Sequence, residues 1–333
     1  MLLKLSFNIL LIFIVACTPA ENSFKDNYLV FGTIVDIEIV GVTSEKAQFV
    51  SNLIEQEFNQ LHQDWHAWQP GGLLATINQA ISQGQPISLN KSVIQLLKTT
   101  QQLSRKSDYF FNPAIGNLVA LWGFHGKEKQ TIPPVAKINK LTKPLITMDS
   151  LAFVQDKLIV QDNRVKLDLG GVAKGYAIDI AINILTANGV QNALVNAGGD
   201  LHAIGTNNKN KWRIAVRHPQ GGIIGLIELH NNESVFSSGD YQRTYSLEQQ
   251  KVHHIINPFT GRPSTGISAV TVIHSNPIVA DAAATAIMVA GIAKWQQVAI
   301  KMGVDKALVV DNAGILFMTK AMSNRIKLNQ SLD

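Results

Sequence analysis

Cysteine is almost absent: Cys17 is the only one in 333 residues, so no disulfide can form within the chain. Clustered positive charge is missing too. Formal net charge is +5, but the 29 basic residues are scattered singly, with no Lys/Arg run interleaved with aromatics, which argues against a nucleic-acid partner. The apolar run "LSFNILLIFIVAC" after Lys4 falls short of the ~20 residues of a comfortable membrane span. No G-x4-G-K-[ST], G-x-G-x-x-G, H-E-x-x-H or G-x-S-x-G occurs. Their absence removes the Walker, Rossmann, zincin and serine-elbow readings. There is no internal repeat and no low-complexity tract.

What remains is the composition of a soluble globular protein, 46% hydrophobic and 16% charged, long enough for one large domain or two ordinary ones. A basic start followed by a short apolar stretch reads as a secretory signal. The stretch ends in Ile14-Val15-Ala16-Cys17, which resembles the bacterial lipobox, whose cysteine is lipidated and becomes the new N-terminus. Residues 1–16 are thus expected to be a lipoprotein-type signal peptide and Cys17 the lipidation site. Residues 17–27 form a polar tether and residues 28–325 the working domain. The protein is expected on the extracytoplasmic side of a bacterial membrane, held by its lipid.

Periodicity predicts a strand over 27–41 and a helix over 44–68 with Phe49, Leu53, Ile54, Phe58 and Leu61 inward. "PGGLLATINQA" breaks that helix, and a second one, opened by Asn90, runs over 90–107. Residues 127–144 read as a surface loop with one short helix. From 151, short strands lead into a helix from Val172 to Ala187, ended by Asn188-Gly189. A succession of strands follows, then the small-residue helix of "NPIVADAAATAIMVAG", a further helix and a closing hairpin around Asn312-Ala313-Gly314. Antiparallel-looking strands with interspersed helices predict an α+β fold of mixed, largely antiparallel sheets with packed helices.

Three constellations carry chemistry. In "LDLGGVAKGYAID" a strand, two glycines and a helix start follow one another, an arrangement in which helix N-terminal amides face an anion. Lys174 adds a point charge suited to phosphate, although a tight strand-to-helix turn explains the segment equally well. In "VADAAATAIMVAG", Asp281 and Thr285 at i, i+4 share one helix face. With a backbone carbonyl from elsewhere they make a hard oxygen site suited to magnesium; a capping aspartate and a core threonine are the plainer alternative. In "HHIINPFTGRP", Pro258 and Gly261 are turn residues. The two histidines before them point to opposite sides of a strand, so one of them faces a cleft. His62 and His66 imitate a metal pair, but no third ligand accompanies them and a solvated helix end accounts for both.

In order along the chain, "FGT", "FNPAIGNLVALWGF", "LDLGGVAKGYAID", "NAGGDLHAIG", "SSGDY", "HHIINPFTGRP" and "ADAAATAIMVAG" resemble the ApbE family of FAD:protein FMN transferases, over about residues 28 to 320. The resemblance implies a T-fold-related α+β architecture with FAD in a central cleft and magnesium near the pyrophosphate. It implies transfer of FMN from FAD to a Thr or Ser hydroxyl of a target protein, with release of AMP. Carried over by motif, Asp168 and Lys174 would contact FAD, as would Phe31, Trp68 and Ile255. Phe110-Phe111-Asn112 stands where the family often has Ala-Phe-Asp, so an amide replaces a carboxylate there. Gly171 (through its carbonyl), Asp281 and Thr285 would hold the metal, and His254 would take the acceptor's proton. Partners would be FAD, a flavin-acceptor subunit of a membrane redox complex or a periplasmic reductase, and the membrane through the lipid. The same site would serve a magnesium-dependent FAD pyrophosphatase, with water as acceptor, and a non-catalytic flavin-binding lipoprotein shares its binding half.

Overall fold

The computed structural model describes residues 23–66, 71–124, 131–241, 244–247 and 250–329. Cys17 and Trp68 lie outside the described residues. The chain opens with a hairpin of β1 (Ser23–Val30) and β2 (Thr33–Val40), where a single strand over 27–41 is expected from sequence. The turn is made by Phe31 and Gly32, both at positive φ (57° and 72°). Alternation continues through the turn, so periodicity alone hides it. β1 also takes up residues 23–27, which the sequence pattern assigns to the tether.

Helix α1 (Ser44–Asp64) is capped by the Thr43 side chain. It buries Val50, Ile54, Phe58 and Leu61, but Phe49, expected inward, is 57% exposed because it falls off that face. The Pro-Gly-Gly segment hides a helix, α2 (Leu73–Gln83), which starts directly after Gly72 and buries Leu74, Ile77 and Ile81. Next come β3 (Ile87–Ser88), α3 (Lys91–Lys106) capped by the Asn90 side chain, α4 (Gly116–Leu121) and α5 (Val135–Thr142). β4 (Leu151–Val154) and β5 (Lys157–Val160) form a hairpin that β3 extends. "RVKLDL" is not a strand; it makes one parallel bridge, Ile115 to Lys166. Helix α6 (Ala173–Ala187) follows.

The second half supplies β6 (Asn192–Ala197), β7 (Asp200–Ile204), β8 (Arg213–Arg217), β9 (Ile223–Glu228) and β10 (Glu233–Gly239). After the hairpin β11 (Thr244–Leu247) and β12 (Gln250–His253) come β13 (Ile267–His274), α7 (Pro277–Ala290) and α8 (Trp295–Lys301). β14 (Lys306–Asp311), β15 (Leu316–Met318), α9 (Lys320–Ser323) and β16 (Ile326–Leu328) close the chain.

Among the described residues one eight-stranded sheet, in the order β1-β2-β6-β7-β10-β13-β14-β15, dominates, and every pairing in it is antiparallel. Alternate residues of its strands serve two cores. Val35, Ile37, Val195, Val270, Val272 and Val309 face the helices α1, α6 and α7. Leu201, Ala203, Val235, Ile273, Leu308 and Val310 face the small sheet β8-β9-β16. A satellite cluster of Leu118, Trp122, Ile138, Val252 and Ile256 fastens the β11–β12 end to α4 and α5. The fold is α+β, as expected, with helices against one face of an antiparallel sheet.

Candidate active site

The segment 165–171 has no strand neighbour on one side, and a side chain replaces it. Asn78 of α2 donates from Nδ2 to the Leu167 carbonyl (2.9 Å) and accepts from the Leu167 N–H at Oδ1 (2.7 Å). On the other side the Asp168 N–H donates to the Pro113 carbonyl at 2.9 Å. This two-sided clamp sets Asp168, whose Oδ1 accepts from the Gly170 N–H (2.9 Å). A Cβ on Gly171 would stand 3.0 Å from Thr285 Oγ1 and 3.3 Å from Phe111 Cε2. The missing side chain is what leaves the Gly171 backbone open beside that hydroxyl.

At the start of α6 both groups expected to meet a ligand have partners within the chain. Its Gly175 N–H does bind an anion, but the anion is Asp281 of the chain itself, with Oδ2 accepting at 2.8 Å. The Lys174 ammonium, expected as a point charge for phosphate, pairs with Asp200. Two helices meet here at unusually short range, since a Cβ on Gly175 would lie 2.5 Å from the Pro277 carbonyl oxygen and 2.9 Å from Ile278 Cα. That approach, made between α6 and the alanine-rich α7, brings residues 106 positions apart into one hydrogen bond.

Asp281 is buried, and burial pushes its carboxyl above the ordinary carboxylate range; the Lys174 ammonium opposes that push and Asp200 adds to it. Thr285, one turn on, faces the same cleft and its hydroxyl lies 3.5 Å from Ser238 Oγ. Gly171, Asp281 and Thr285 therefore come together as one carboxylate among neutral oxygens, a donor set whose chemistry suits a hard divalent cation. Among the described residues no three His, Cys, Asp or Glu side chains cluster as a metal cage. The carboxylate, hydroxyl and backbone carbonyl present fit magnesium on the chemistry of their donors.

These groups line a cleft of about 550 Å³. Phe31, Phe110, Phe111, Asn112, Asp168, Gly171, Lys174, His254, Ile255, Asp281 and Thr285, singled out in the sequence, all face it. Its aromatic wall runs from Phe31, edge-on to Phe58 (5.6 Å) and His62 (5.9 Å), to His66 (5.5 Å from His62). His62 and His66 thus line the cleft instead of standing at a solvated helix end. Phe110, also on the cleft, meets Phe259 edge-on at 5.1 Å, with Lys294 Nζ over its ring. Asn112 is buried, donating to the Ile146 carbonyl (2.7 Å) and accepting from the Ala114 N–H (3.2 Å). Its amide thus braces the loop, and an ionised carboxylate there has no proton for Ile146. His254 follows the end of β12, in the cleft and 6.3 Å from the Phe124 ring. His253 turns the other way, buried, with Nε2 on the Ser264 carbonyl at 2.9 Å.

Asn78 and Asp200 are not singled out by the sequence. Asn78 sits in the segment that reads as a break, and Asp200 is visible there only as one of several Gly-Asp loops. A family model described as the ApbE family matches residues 31–308. The chain is 35% identical to an FAD:protein FMN transferase of Rhodobacter capsulatus over 315 residues, 94% of this chain and 60% of that protein. It is 32% identical to one of Klebsiella pneumoniae over 240 residues, 66% of this chain and 72% of that one. It therefore spans under two thirds of the Rhodobacter relative's length. Among solved structures it is similar to an ApbE protein of Thermotoga maritima, with a TM-score of 0.84 at 28% identity, over 92% of this chain and 100% of that one. The apo flavinyl transferase ApbE of Pseudomonas stutzeri gives a TM-score of 0.82 at 26% identity, over 93% and 98%.

Proposed function

The chain belongs to the ApbE family, and from that membership we propose that it is an FAD:protein FMN transferase acting on a Thr or Ser hydroxyl of an acceptor protein. The observation that carries the proposal is the cleft. Elements distant in sequence converge there on one oxygen donor set, on the Lys174 ammonium with its Asp200 partner behind it and on three histidines, His62, His66 and His254, along a wall of aromatics. A cleft that sets an aromatic wall beside a group of polar and charged side chains is suited to a flavin nucleotide, with its apolar ring and charged phosphates.

In this reaction the acceptor oxygen forms a bond to the phosphorus of the FMN half while the bond from that phosphorus to the bridging oxygen breaks, and AMP leaves. His254 takes the hydroxyl proton, work worth roughly 10²–10⁴-fold. Asp281, Thr285 and the Gly171 carbonyl would hold magnesium, which when bound would supply positive charge against the charge growing on the phosphate oxygens. Lys174 and Asp168 hold the nucleotide, while Phe31, Ile255 and the Phe110–Phe111 pair enclose it. Phosphoryl transfer depends chiefly on positioning and electrostatics, which this arrangement supplies. The flavin acceptor is then a subunit of a membrane redox complex or a periplasmic reductase. Cys17, carrying lipid, holds the enzyme to the membrane on the same side.

The test is incubation with FAD, magnesium and a candidate acceptor, followed by in-gel flavin fluorescence. A fluorescent acceptor band, lost with chelator, is expected. Free FMN and AMP without a band would refute transfer in favour of hydrolysis, and a band undiminished by chelator would refute the metal.

A further inference from the structure

Asp200 opens β7 and is 3% exposed. Its two oxygens are held by different partners. Oδ2 pairs with the Lys174 ammonium, and Oδ1 accepts from the Ser237 N–H of β10 at 2.7 Å. A buried carboxylate needs such partners, and both of these line the cleft. The Ser237 bond matters for direction. It ties the carboxylate to the backbone of the neighbouring strand, so the position of the charge is set by the sheet and not by the flexible lysine stem.

Next to this pair stands Asp281, which lines the same cleft as Lys174 and whose Oδ2 accepts at 2.8 Å from the N–H of Gly175, the residue that follows Lys174. An ammonium within reach of a carboxylate that is to hold a divalent cation is a built-in competitor for it. Lys174 has four methylenes of freedom, and its charge is fixed in place by what it binds.

We propose that Asp200 is a positioning residue that anchors the Lys174 ammonium on the β7 side of the cleft, so that Asp281 stays available to a divalent cation. The proposal rests on the reading of Asp281 as a metal ligand. It also accounts for the Gly-Asp loop of "NAGGDL", whose hairpin turn delivers a buried negative charge to the β7 side of Lys174.

The experiment measures binding of Mn²⁺ alone, counted by the electron paramagnetic resonance signal of the free ion, to full-length protein in detergent. Wild type, Asp200→Asn, Lys174→Met and the double variant make a cycle. With Lys174 present, Asp200→Asn is expected to weaken Mn²⁺ binding about ten-fold or more, as the released ammonium moves onto Asp281. With Met at 174 the same change is expected to cost no more than about three-fold, the residue of the lost distant field. Asp200→Glu, which keeps the charge and displaces it, is expected to fall between, and serves if the asparagine variant does not fold. Equal losses in both backgrounds would mean a structural or purely long-range effect and would overturn the proposal. So would unchanged Mn²⁺ binding by Asp200→Asn. No saturable Mn²⁺ binding by the wild type would refute the metal reading itself, and this inference with it.

Discussion

Gly175→Ala is the substitution for which the structure predicts most. The new Cβ would lie 2.5 Å from the Pro277 carbonyl oxygen and 2.9 Å from Ile278 Cα. Both neighbours are backbone atoms of α7, so no side chain can swing aside, and the two helices must part by at least ~0.5 Å to reach even a tight contact. Overpacking of this kind costs roughly 1–3 kcal/mol. The same displacement stretches the 2.8 Å bond from the Gly175 N–H to Asp281, which is bent or lost. A hydrogen bond to a charged group is worth about 1.5–3 kcal/mol. The total is about 3–5 kcal/mol, which for a domain of this size lowers the melting temperature by roughly 5–8 °C. Because Asp281 loses the amide that orients it, the variant is also expected to need about ten-fold more magnesium for half-maximal transfer, a loss of roughly 1.4 kcal/mol. Thermal melts and a magnesium titration of the flavinylation rate test both halves. A Gly175→Ala protein that melts with the wild type and transfers normally at low magnesium would refute the helix-contact argument.

Three further variants probe the histidine pair at the end of β12 and the buried histidine of β7. His254→Ala is expected to lower the transfer rate by roughly 10²–10⁴-fold while FAD still binds; a normal rate in a single-turnover assay would remove the histidine from proton transfer. His253→Ala is expected to leave the rate near normal but to lower the melting point, because its Nε2 bonds the Ser264 carbonyl inside the fold. His202 has its pKa pushed down to about 4 by burial, and in the neutral form it joins Ser234 and Asn232. The unfolded chain takes up that proton near pH 6.5, so stability is full above that pH and declines as pH falls toward 4. Between pH 7.5 and 5 the loss is about 2 kcal/mol, and denaturant melts of His202→Gln are expected to be flatter over that window by that amount.

Much of this protein is local in origin and therefore legible without coordinates. Asn90 caps α3 because its side chain reaches the Val93 N–H three residues on, and Asn188-Gly189 ends α6 through contacts within one turn. Strand alternation separates the two cores of the large sheet in the same way, since every second residue must face the same side. The glycine pair after Asp168 and the i, i+4 spacing of Asp281 and Thr285 are likewise short-range facts. The turn at Phe31-Gly32 and the helix behind Pro-Gly-Gly are not legible, because turn formers and alternation point both ways there until packing selects one. Which histidine of the pair enters the cleft follows from alternation only once the sheet's sides are known.

The charges of the site belong to the tertiary structure alone. Nothing near Lys174 in sequence points to Asp200, and nothing near Asp281 points to the Gly175 amide, 106 residues away. Those pairings exist because α6 and α7 meet at a glycine and because β7 lies beside β10 in the sheet. The order of residues settles which of them carry chemistry and on which kind of element each stands. The fold alone settles which charge faces which, because an electrostatic partner is chosen by distance in space and by burial, and neither is written in the spacing along a chain.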